Sequence, residues 1–177
     1  MIDRVTELLD QWQAELPEVL VDCSELTKRI MLMAAELDEA TRRELPEFGL
    51  TSAEFGVLSA LRRSGPPYRM KPTELTRALL LSSGGTSNVL NHLAAKRLIE
   101  REPDPGDGRS TLIHLTKTGV ELAERAVRAN SAAHARVLAA VPAAAIEKAS
   151  DALRAVHVAV QRAQRAQPPA ARRYRAS

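Results

Sequence analysis

Residues 72–116 constrain the fold of this 177-residue chain more tightly than any other segment. They read PTELTRALLLSSGGTSNVLNHLAAKRLIEREPDPGDGRSTLIHLT. Pro72 and Thr73 open a short helical pattern that faces Leu75 and Leu79 inward. Ser82-Ser83-Gly84-Gly85 forms the turn and the start of the next helix, where serines cap and glycines permit close approach. In that second helix Thr86, Leu90 and Leu93 fall on one face. Ser83, Ser87, Asn88 and Asn91 fall on the other, with His92 and Lys96 on its flanks. Leu98-Ile99 and Leu112-Ile113-His114-Leu115 then read as two strands, joined through the turn Asp104-Pro105-Gly106-Asp107-Gly108. Helix, turn, helix and basic hairpin are the parts of a winged helix-turn-helix, so the chain is predicted to be mainly α with that unit at its centre.

The side chains on the outer face suit a specific chemistry. Short hydroxyl and amide groups donate to and accept from base edges in a major groove, while an Arg on a hairpin tip is favoured by the potential of a minor groove. Ser83, Ser87, Asn88, Asn91, His92, Lys96 and Arg109 are therefore the candidate DNA contacts. Asp107, two residues before Arg109, is placed to orient its guanidinium as wing support. A polar helix face alone is equally a solvated surface; the hairpin beside it decides for double-stranded DNA as partner.

The flanking segments are helical. Ile2, Val5, Leu9, Trp12 and Leu16 make one apolar stripe that Pro17 ends; Leu26, Ile30, Met33, Leu37 and Ala40 make a second, which stops near Pro46 and Gly49. Thr51 and Glu54 have the spacing of a capping box for a third helix, with Phe55, Leu58 and Leu61 inward, closed by Gly65-Pro66-Pro67. After Thr116 a seam of Val120, Ala123, Val127, Asn130, His134, Val137 and Val141 runs to Pro142, and another follows through Ile146, Ala149, Leu153, Val156 and Val160. The organisation expected is N-terminal helices over 1–46, the winged unit over 47–119, C-terminal helices over 120–165 and a disordered basic tail over 166–177. Such stripes exceed what a small winged helix can cover, so N- and C-terminal helices are read as a homodimerisation region.

Residues 1–46 carry 5 basic and 11 acidic side chains, residues 47–119 carry 10 and 7, and residues 120–177 carry 10 and 4. The winged unit and tail are thus basic, as a face offered to phosphates requires. One cysteine, Cys23, excludes an internal disulfide, and the four dispersed histidines have no ligand spacing, so neither a metal nor a cofactor is expected. No apolar run approaches a membrane span and the N-terminus is acidic, which points to a cytoplasmic protein without a membrane partner. No nucleophile elbow, phosphate loop or paired catalytic set is present, so no enzyme is expected.

From Leu50 to about Glu124 the chain resembles the MarR family of bacterial transcriptional regulators. The resemblance rests on LTSAEFGVLSALRRSG, the PTEL helix and PDPGDGRSTLIHLTKTG, in which Asp107-x-Arg109 followed by Leu115-Thr116 is the wing signature. It implies a homodimer that binds a palindromic operator as a repressor until a small molecule releases it. DRVTELLDQW, GPPYRMKPTEL and SSGGTSNVL further resemble the urate-responsive branch with an extra N-terminal helix. That likeness makes Trp12, Arg63 and Arg101 ligand-site candidates, with Gly56 standing where the branch has an Asp (EFGVL for EFDVL). Losing that carboxylate should open a cavity of one side chain. It disfavours urate and leaves the effector as an aromatic or anionic molecule of purine or phenolic type. Two other readings stand beside this one: a redox-responsive regulator using Cys23, and a helical interaction protein that does not bind DNA.

Overall fold

Side-chain caps written in the chain start the first and third helices. The computed structural model describes residues 3–79 and 83–166. Helix α1 (Arg4–Glu15) is capped by Asp3, whose Oδ1 accepts from the amides of Val5 and Thr6 at 2.9 and 3.1 Å. The Arg29 guanidinium, 3.0 Å from Asp3 Oδ2, and those amides hold this carboxyl far below the usual carboxylate range. Pro17–Val19 makes a 3-10 turn before α2 (Ser24–Glu44), and Leu45–Phe48 makes another after it. Gly49 closes that turn at φ +62°, a left-handed conformation that glycine adopts without penalty.

Thr51 caps α3 (Ser52–Arg63) with both bonds of the capping box in place. Helix α4 (Pro72–Leu79) and α5 (Ser83–Ala95) follow, then strands β2 (Ile99–Asp104) and β3 (Asp107–Leu115) and helix α6 (Lys117–Val137). The strand β1 (Arg69–Met70) that precedes α4 pairs antiparallel with β3, giving a sheet in the order β1-β3-β2. This third strand was not expected from the sequence. The hairpin is also tighter than the five-residue turn anticipated: Asp104 and Asp107 are already partners across the strands, which leaves Pro105-Gly106 at the tip.

The core lies where α3, α4, α5, the sheet and α6 meet. Leu58, Leu61, Leu75, Leu93, Ile99 and Ile113 are its largest sealed side chains. Helix α6 approaches so closely at its first turn that a Cβ on Gly119 would lie 1.9 Å from the Leu98 carbonyl oxygen. Farther along α6, His134 Nε2 lies 2.9 Å from Thr41 Oγ1 and 3.1 Å from the Leu37 carbonyl, which docks it on α2 as a packed histidine. The described residues up to Val137 form one compact unit and those from Leu138 a second, which consists of helix α7 (Ala143–Ala166) and the turn before it. In α7 the seam residues Ile146, Leu153, Val156 and Val160 are exposed, as are Leu26, Ile30 and Met33 on α2. The tail expected to be disordered lies outside the described residues from 167 onward.

Candidate nucleic-acid interface and neighbouring cavity

Helix α5 is anchored on one side and open on the other. Thr86, Leu90 and Leu93 are buried as their spacing predicts, and Thr76 Oγ1 on α4 donates to Thr86 Oγ1 at 3.1 Å, tying the two helices together. Ser87, Asn88, Asn91 and His92 are exposed. A Cβ added at Gly84 in the first turn of α5 would meet nothing within 4 Å. Packing within the chain therefore does not require a glycine there. The side chain of Ser83 lies outside the described residues.

Lys96 behaves differently from the expectation that it flanks a DNA-facing surface. Its Nζ sits 2.6 Å from Glu54 Oε1 and 2.9 Å from the Gly49 carbonyl, turned back onto the start of α3. Glu54 is buried, and its other oxygen accepts from the Thr51 amide at 2.8 Å. Burial pushes this carboxyl up, but the Lys96 ammonium and the Thr51 amide together pull it below its ordinary value.

The wing is held by a carboxylate at its tip. Asp104 accepts from the Gly106 amide (2.9 Å) and from Ser110 Oγ (2.8 Å), and pairs with Lys71 Nζ (2.7 Å). These contacts, Lys71 foremost, bring its pKa down to about 2. Arg69 likewise pairs with Glu102 at 2.9 Å, so β1 ties both edges of the hairpin. Asp107 and Arg109 lie in β3, but their side chains fall outside the described residues.

Arg101, expected at the ligand site, lies on the wing instead. It extends from β2 to the outer side of α5, where its Nη2 donates to Asn91 Oδ1 at 2.7 Å.

A cavity of about 530 Å³ opens between α3 and α6. Phe55 and Val127 supply its apolar wall; Ser59, Arg62, Arg63, Glu124, Arg128 and Asn130 supply its polar wall. Arg62 grips Glu124 Oε1 through Nε and Nη2, at 3.0 and 2.8 Å, while Arg128 reaches Glu124 Oε2 at 2.8 Å. These bonds hold the Glu124 carboxyl below its ordinary value. Ser59 Oγ and Asn130 Oδ1 are buried without a hydrogen-bonding partner, and Arg63 makes no ion pair among the described residues. Unmet buried polar atoms are uncommon and ask for a partner.

Of the four ligand-site candidates, only Arg63 lines this cavity. Trp12 is exposed on α1, and Arg101 is on the wing. Gly56 leaves no void: a Cβ there would come within 2.8 Å of Leu79 Cδ2, so α4 already fills the space. Ser59, Glu124 and Asn130 were not singled out from the sequence; the Glu124 and Arg128 spacing of four residues was the one available signal. Cys23 is exposed just before α2. Among the described residues no group of three metal-ligating side chains occurs, and no helix is long and apolar enough to cross a membrane.

Residues 48–110 match the sequence profile of the MarR family. The chain is 29% identical over 123 residues to the HTH-type transcriptional regulator PecS of Dickeya dadantii, covering 70% of this chain and 74% of that protein. It is 30% identical over 100 residues to the multiple antibiotic resistance protein MarR of Salmonella typhimurium, covering 56% and 67%. A crystal structure of an Escherichia coli MarR variant complexed with operator DNA shares the fold at TM-score 0.65. It is 23% identical and covers 82% of this chain and 96% of that one.

Proposed function

Because the chain belongs to the MarR family of transcriptional regulators, we propose that it binds DNA and represses transcription as a homodimer on a palindromic operator. The observation that carries the reading is the division of α5: Thr86, Leu90 and Leu93 are buried, and Ser87, Asn88 and Asn91 face out. A helix so anchored presents hydrogen-bonding groups to base edges without having to reorder. The exposed apolar stripes of α2 and α7 supply the surface that a second copy covers. Two-fold symmetry then sets the half-sites about one helical turn apart, roughly 34–36 Å. The test is titration of the full chain with palindromic duplexes from its own upstream DNA across a salt series. Equal affinity for a scrambled duplex of the same length would refute sequence-specific reading.

The effector belongs, on this reading, to the cavity between α3 and α6. Its volume lies within the roughly 300–1,000 Å³ of small-molecule sites. Phe55 and Val127 accept a ring, Arg63 an anionic group, and Asn130 Oδ1 a donor such as a phenolic hydroxyl or ring N–H. A hydroxylated aromatic acid or an acidic purine has all three. Urate as a branch-specific effector lacks support at Gly56, whose neighbourhood is packed by Leu79. An anion in the cavity competes with Glu124 for Arg62. The Arg62 guanidinium also stacks over Tyr68, 4.9 Å from the ring centroid, and the Tyr68 carbonyl accepts from the Leu115 amide of β3. Moving Arg62 therefore moves the segment that carries β1, and with it the wing. Tenfold release from DNA requires about 1.4 kcal/mol of preference for the released conformation.

A further inference from the structure

The contact between Arg101 and Asn91 changes what the outer face of α5 can read. Both residues are exposed, one on β2 and one on α5, and the guanidinium donates to Asn91 Oδ1 at 2.7 Å. Strand β2 explains the reach: Ile99 is buried against the core, and Arg101, two residues on, leaves the same side of the strand at its edge. Arg101 makes no ion pair among the described residues, so its charge and its remaining N–H groups stay available.

An asparagine alone reads adenine, because its amide accepts from N6 and donates to N7 in one bidentate pair. Here a cation that can only donate takes one lone pair of the accepting oxygen and sets a positive charge beside the other. An adenine amino group, itself a donor, would meet a competing positive charge where it needs an acceptor. What the pair offers to DNA is weighted towards donors: the Asn91 Nδ2 hydrogens and the free part of the Arg101 fork outnumber the one lone pair left on Oδ1. Guanine presents two acceptors, N7 and O6, on its major-groove edge. We propose that Asn91 and Arg101 act as one composite reader that selects guanine at one position of each half-site. The proposal rests on α5 being the helix that enters the major groove.

Selection of duplexes from a randomised library by the full chain, followed by sequencing, tests it. The wild-type protein should enrich guanine over adenine at one position per half-site by roughly fivefold or more, the discrimination of a good base contact. Arg101→Met should abolish that preference and turn the same position toward adenine, since the cation beside Asn91 Oδ1 is gone. Arg101→Lys keeps a donor cation that can still reach guanine O6 and N7 and should retain the guanine preference in weakened form. Asn91→Ala should weaken the preference while leaving guanine the favoured base. If Arg101→Met weakens binding to all sequences equally and lowers the salt slope by about one, Arg101 is a phosphate contact and the proposal fails. An unchanged base profile in Arg101→Met overturns it too. Failure of the wild-type protein to enrich any sequence would instead refute the placement of α5 in the groove. Circular dichroism of the variants, altered only at exposed positions, checks that they fold.

Discussion

Replacing Lys96 with methionine separates two roles that one lysine could hold. The variant keeps the aliphatic stem but leaves the Glu54 carboxylate without its ammonium, although the Thr51 amide still donates to it. Removing one partner of a fully buried pair costs about 3–5 kcal/mol, and of an exposed pair at most about 1 kcal/mol. The Glu54 side chain is 3% exposed and that of Lys96 42%, so the pair lies between these limits and about 2 kcal/mol is expected at neutral pH. For a chain of this size that lowers the melting temperature by about 4–8 °C. The pH dependence follows from the direction of the shift. In the wild type the folded-state pKa of Glu54 is depressed, so its contribution is present above the unfolded value and is lost as pH falls through the folded one. In Lys96→Met the ammonium no longer offsets burial, so that pKa rises relative to the wild type and the cost of the unpaired carboxylate falls away on protonation. The gap between the two proteins should therefore narrow towards about pH 4. Urea denaturation at fixed protein concentration reads this directly. Glu54→Gln in the Lys96→Met background should restore part of the loss, because glutamine also serves the capping box. DNA affinity and its salt slope should stay unchanged. Unaltered stability together with a smaller salt slope would show that Lys96 contacts phosphate and that its bond to Glu54 is incidental.

Three other substitutions probe close approaches. Gly119→Ala drives a Cβ against the Leu98 backbone, which has no flexible end to yield, so it should cost more than about 3 kcal/mol and show as loss of a cooperative thermal transition. Gly84→Ala meets nothing in the protein and should gain about 0.5–1 kcal/mol of helix stability, while DNA affinity measured by anisotropy falls several-fold; unchanged affinity would remove that turn of α5 from the interface. Gly56→Asp presses on the tip of Leu79 and should lower stability by about 1–3 kcal/mol without creating a urate response, which a thermal-shift titration with urate would contradict if it showed one.

Local and periodic features were legible in the sequence. The Thr51 and Glu54 box and the burial of Thr86, Leu90 and Leu93 follow from spacing within one helix. The rest depended on pairings that no local pattern encodes. Strand β1 is only two residues long and exists because β3 offers it a partner, so neither Arg69 nor Met70 carries a periodic signal of its own. The tip of the wing tightened because the Asp104 side chain satisfies the turn amide and Ser110 while Lys71 compensates its charge, a set assembled from three elements. Gly56 was read as a missing side chain; in space it is where α4 lays Leu79 on α3. Arg101 was assigned to a ligand by likeness alone, and only the register of β2 shows that it reaches Asn91.

If a second copy covers the apolar seams of α2 and α7, as proposed, the supply of this chain becomes part of its stability. Leu26, Ile30, Met33, Ile146, Leu153 and Val156 face water in a lone copy, so mass action enters the folding equilibrium as soon as a second copy shields them. Each tenfold dilution then removes about 1.4 kcal/mol from the assembled state, which turns a change in expression into a change in the fraction folded. Operator occupancy would fall more steeply than chain number, since scarce copies are lost both from DNA and to proteolysis of the unfolded pool. For the proposed repressor, the dose at which control fails would thus be set partly by hydrophobic side chains far from any base pair.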